Sequence, residues 1–128
     1  MGGGISGCAA SVGMASSFRE LITYRLASAV SHRVHDAVAS WESFDRWSIG
    51  IQLVRAADSI GANIAEGCGR WHHPDERRFL VMARGSLYET EHWILCAIDR
   101  GLLPGDAPEW LSELARALNG QIRASRER

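Results

Sequence analysis

From Phe18 to Ile122 the apolar residues recur every three or four positions, and no alternating, strand-like pattern competes with them anywhere. That periodicity constrains the fold more than any other feature, because each segment that carries it is a helix with a face to bury. In the first segment Ile22, Leu26, Val30, Val34, Ala37 and Trp41 trace one stripe, and Ser17 and Glu20 have the spacing of a capping box. The second segment runs from about Asp45 to Gly67, with Leu53, Ala57, Ile60 and Ile64 on one face. Gly67 and Gly69 loosen its end, and Pro74, Asp75 and Glu76 suit the first turn of the next helix. That third segment, with Leu80, Ala83, Leu87, Ile94 and Ile98 on one face, reaches about Arg100, where Gly101 stops it. LLPGDAP is a turn, Asp106 and Glu109 form a second capping pair, and the last helix carries Leu111, Leu114, Leu118 and Ile122.

Four amphipathic helices with short connections fold most simply into an all-α, antiparallel up-down four-helix bundle. The bundle is expected over residues 18–125, after a Gly/Ser/Ala-rich leader at 1–17 that reads as disordered and before a frayed end at 126–128. Gly2 to Ser6 fits a myristoylation pattern and ISGC resembles a lipoprotein cleavage box, but the second lacks a basic start and a useful apolar stretch. Met14 offers an alternative start. Apolar residues make up 46% of the chain and charged residues 23%, a globular composition in which nothing approaches a membrane span. The formal net charge of -1 excludes a global field that would draw the chain onto nucleic acid or an anionic membrane. All fourteen basic residues are arginine, each able to make forked contacts. Cys8, Cys68 and Cys96 lack paired motifs, which argues against a disulfide framework and for a reducing, cytoplasmic setting.

One stretch, DSIGANIAEGCGRW, is nearly all small or polar although it lies mid-helix. On a helical wheel Gln52, Arg55, Ser59, Asn63 and Glu66 fall in one narrow band away from the apolar face, and Arg70 joins it if the helix continues. Gly61, Ala62 and Ala65 border the band, and small side chains there let a second backbone approach. The third helix has Met82, Ser86, Glu89 and Trp93 on one further side and Val81, Tyr88 and Leu95 on another. A helix apolar nearly all round is buried nearly all round, so the second and third helices are expected to meet neighbouring subunits.

QLVRAADSIGANIAEGCGR followed by RRFLVMARGSLYETEHWI resembles the four-helix-bundle proteins encoded within intervening sequences of bacterial 23S ribosomal RNA genes. The pattern falls on Gln52, Leu53, Arg55, Ala56, Ser59, Ile60, Ala62, Asn63, Ile64, Ala65, Glu66 and Gly67, then on Gly85, Ser86, Leu87 and Glu89. FREL, Phe18 to Leu21, looks like the family's opening motif. The resemblance implies a homopentamer of bundles with no established catalysis and no cofactor. A distant relative, the accessory protein of diversity-generating retroelements, binds nucleic acid and a reverse transcriptase. Gly61 stands where many members have Pro, and the net acidity differs from the basic retroelement proteins.

Two functional classes follow. In the first, Gln52, Arg55, Ser59, Gly61, Ala62, Asn63, Ala65, Glu66, Gly85, Ser86, Glu89 and Trp93 form an oligomer interface of a non-enzymatic assembly or adaptor module, in which Arg55, Asn63 and Glu66 satisfy one another or the next subunit. In the second, Arg55, Arg70, Trp71, His72, His73, Arg77 and Arg78 place cations beside stackable rings and contact RNA. Asp75 and Glu76 offset much of that charge. Metal chemistry is weaker. Glu89 and His92 form Glu-x-x-His without the second pair that di-iron bundles use, Cys68 and His72 are separated by a glycine break, and His32 and His35 lack partners. No nucleophile elbow or phosphate loop is present.

Overall fold

The structure, a computed structural model, describes residues 17–70 and 73–126. The leader reading falls almost wholly outside the described residues, and Trp71 and His72 lie outside them too. Four long helices account for most of the described chain: α1 (Ile22–Ala39), α2 (Ile51–Cys68), α3 (His73–Asp99) and α4 (Ser112–Arg126). No strand occurs among the described residues.

The start of α1 departs from the expected capping box. Ser17–Glu20 form a separate 3-10 turn closed by Leu21 N–H on Phe18 O at 3.2 Å, and α1 begins after Leu21 with no side-chain cap. The turn docks the Phe18 ring edge-on against Tyr24, centroids 5.1 Å apart, so aromatic packing sets the path of the chain there. The core stripe of α1 is also rephased. Thr23, Ala27, Val30, Val34 and Val38 are buried, whereas Ile22 is 60% exposed and Leu26 only half-buried. Thr23 tolerates burial because its hydroxyl donates to Gln121 Oε1 of α4 at 2.6 Å.

A helical turn at Ser43–Asp45 and a π-helical turn at Arg46–Gly50 lead into α2. Gly50 is required where α1 and α2 meet: a methyl group on it would stand 2.7 Å from Val38 Cγ1. Farther along, Gly61 packs on Tyr24 and Ala27 of α1, and Gly67 lies against Phe79 and Glu76 of α3. The pairing of α2 with α3 is the most extensive in the molecule.

Gly101 ends α3 as expected, with φ +74. Leu102 N–H reaches Ala97 O at 2.8 Å and Gly101 N–H reaches Ile98 O at 3.0 Å, the two bonds of a Schellman cap. The second expected capping box is absent. Asp106 makes no side-chain cap; its carbonyl accepts from Glu109 N–H at 2.9 Å in a 3-10 turn, Ala107–Leu111, that precedes α4. Pro108 in the first turn favours that tight start. Leu53, Ala57, Ile60, Ile64, Leu80, Ala83, Leu87, Ile94, Leu111, Leu114, Leu118 and Ile122 all enter one core, as their periodicity implies.

Candidate functional site

The polar stripe of α2 and the second side of α3 form one continuous outer surface. Ser59 and Asn63 are half-buried at the seam between the helices, and Gln52, Arg55 and Glu66 are exposed. Asn63 Nδ2 donates to Ser59 O at 3.0 Å and to Ser86 Oγ on α3 at 3.4 Å. Ser59 turns its hydroxyl back on Ala56 O at 2.8 Å. Glu66 binds Arg70 at 2.9 Å, one helical turn on. Within the chain, then, Arg55, Asn63 and Glu66 do not satisfy one another. Each carbonyl or carboxylate partner is local, and Arg55 makes no side-chain hydrogen bond or ion pair among the described residues.

Gly61 lies apart from this stripe, buried against α1, whereas Ala62 is exposed and Ala65 half-buried. On α3 the Trp93 indole donates to Glu89 Oε2 at 3.2 Å and stands edge-on to His92. Gly85 faces open space, with no atom within 4 Å of an added methyl group. Val81, Met82, Tyr88 and Leu95 are exposed along the same helix. Only one side of α3 is therefore covered by its own chain.

At the α2–α3 corner, Arg70 stacks on the Phe79 ring at 4.7 Å and Arg78 at 5.0 Å. Arg78 also reaches Asp75 at 3.7 Å, and Arg77 is exposed. Two of the proposed RNA-contacting cations thus already have a ring and a carboxylate within the chain, which lowers what they gain from a phosphate. His73 opens α3.

Among the described residues no group of three or more His, Cys, Asp or Glu could hold a metal ion. Glu89 is engaged by Trp93, and His92 Nε2 lies 3.7 Å from Cys96 Sγ. Cys96 is a free thiol, and Cys8 lies outside the described residues. Among the described residues no helix is long and apolar enough to cross a membrane.

One feature escaped the sequence reading. A groove of about 400 Å³ runs between α1 and α2, lined by Phe18, Tyr24, Ser31, Asp58, Gly61, Ala62 and Ala65. The Ser31 hydroxyl donates to Asp58 Oδ1 across it. The only signal was the small-residue border of the α2 stripe; the α1 side, Tyr24 and Ser31, gave none because neither lies on the apolar stripe of that segment.

The 23S rRNA-intervening sequence protein family has a model that matches residues 19–124. The chain belongs to this family. In this intervening-sequence family member the matched span takes in α1 to α3, α4 as far as Ala124, the shared outer surface of α2 and α3, and the groove apart from Phe18. No curated protein matches the chain.

Proposed function

We propose that this family member is a non-enzymatic, self-assembling module: antiparallel up-down bundles that join into a homo-oligomer, a homopentamer on the family resemblance, and serve in the cytoplasm as a platform for another macromolecule. The observation that carries this reading is α3, whose Val81, Met82, Tyr88 and Leu95 remain exposed although its other side is deep in the core. Val81, Tyr88 and Leu95 on one side of α3, and Met82 with the half-buried Trp93 on another, are large apolar side chains of the kind that subunit interfaces bury. The seam bond between Asn63 and Ser86 holds the two helices in the register that such a surface needs.

Light scattering on the purified chain tests the reading. A mass of five chains is expected, unchanged by RNA at low salt. A folded monomer at micromolar concentration overturns it. An RNA-dependent gain in mass that Arg70→Glu with Arg77→Glu abolishes would favour the nucleic-acid interface instead.

A further inference from the structure

We propose that the assembly is built head to tail, with Phe44 and Trp47 of one copy seated in the α1–α2 groove of the next. This rests on the reading that the chain self-assembles, and names the two surfaces that meet.

Phe44 is 82% and Trp47 68% exposed, the highest values among the large apolar side chains described. Both stand where the chain enters α2, Trp47 on the π-helical turn itself. Such turns are rare and recur at functional positions. Gly50 at its end lets the chain pass close to α1, where a methyl group would stand 2.7 Å from Val38 Cγ1. Two aromatic side chains bring on the order of 300–400 Å² to a contact. That approaches half of the ~800 Å² each partner gives to a stable interface.

The groove offers what these side chains lack. Gly61, Ala62 and Ala65 make a low floor, Tyr24 with Phe18 an aromatic wall, and Asp58 an acceptor at the rim. The indole N–H of Trp47 is a donor with no acceptor among the described residues, and a carboxylate has lone pairs beyond the one Ser31 uses. Trp47 precedes Asp58, the nearest groove residue of α2, by eleven residues of helical chain, about 16 Å at 1.5 Å per residue, so a chain cannot fill its own groove. Knob and groove are different patches of one molecule. Their contact is heterologous, and a heterologous contact of suitable rotation closes into a ring.

Two variants test this. Phe44→Ala with Trp47→Ala removes the knob, and Ala65→Arg fills the groove. Each alone is expected to be a monomer by light scattering with the helical circular dichroism of the parent. Mixed in equal amounts at high concentration they should form a heterodimer, because one intact knob and one intact groove remain. The parent's own mass separates this from an isologous pair, which closes at two chains, whereas a head-to-tail contact continues beyond two. If Ala65→Arg loses its helical signal, Ala62→Gln at the exposed edge of the groove replaces it with the same expected result. Variants that keep the parent's mass, or a mixture of folded variants that stays monomeric, overturn the head-to-tail arrangement while self-assembly stands. A monomeric parent chain overturns both.

Discussion

Thr23 on α1 and Gln121 on α4 are joined across 98 residues of sequence, the Thr23 hydroxyl donating to Oε1 at 2.6 Å. Thr23 is buried, and Gln121 Nε2 is buried with no hydrogen-bond partner among the described residues. Thr23→Val strands a buried acceptor and is expected to lower stability by about 1–2 kcal/mol. Adding Gln121→Met removes the acceptor and the unsatisfied donor together, so the double variant should recover most of that loss. Urea denaturation at one fixed protein concentration measures both; strictly additive losses would show that the bond is not what the two residues share.

Gly67 and Gly85 respond to alanine in opposite directions. A methyl group at Gly67 would lie 3.0 Å from Phe79 Cβ and 3.2 Å from Glu76 O. That crowding between α2 and α3 outweighs the gain in helix propensity, and Gly67→Ala should cost about 1–3 kcal/mol. Gly85 has open space around it, so Gly85→Ala should add about 0.5–1 kcal/mol to the dilute protein. The same methyl group stands on the surface assigned to a neighbouring subunit, so the oligomer mass of Gly85→Ala should fall as its melting temperature rises. A rise in both would place Gly85 outside the contact.

Asn63 and Glu66 differ in value though they share a stripe. Asn63→Ala removes a half-buried link from α2 to Ser86 and should cost about 1 kcal/mol, roughly 4 °C in melting temperature. Glu66→Gln breaks an exposed pair with Arg70 and should cost less than about 0.5 kcal/mol. Thermal melts of the two variants side by side make the comparison; equal losses would contradict the seam role of Asn63.

Gly101 holds the left-handed conformation that closes α3. Gly101→Ala should cost about 1 kcal/mol through backbone strain alone, since no atom lies within 4 Å of its added methyl group. Gly101→Asn should recover part of it. A neutral alanine variant would mean the cap carries no strain.

The core faces of α2, α3 and α4 were legible because each is built from Leu, Ile and Ala at helical spacing, as with Leu53, Ile60, Leu87 and Leu118. On α1 the same reading chose Ile22 and Leu26 over Thr23 and Ala27. Hydropathy cannot see that a threonine will be satisfied by a glutamine 98 residues away. Both expected capping boxes gave way to 3-10 turns, at Ser17–Glu20 and Ala107–Leu111, where aromatic docking and a proline compete with the side-chain cap. The outer stripe was read from phase alone, and most of it does share a surface. Gly61 does admit the close approach of a second helix, and a wheel shows that direction without showing that the helix is α1. The groove needed Tyr24 and Ser31 brought opposite Asp58, a relation between two helices that no single-segment pattern encodes.

Since α2 and α3 follow one another in the chain, the surface they share depends on contacts such as Asn63 to Ser86 that close only a short connection. The tie from α1 to α4 closes nearly the whole sequence, and the entropy of closing a loop rises with its length. The hairpin is therefore the natural nucleus of folding, and it gathers its sticky face before the two ends of the polypeptide have met.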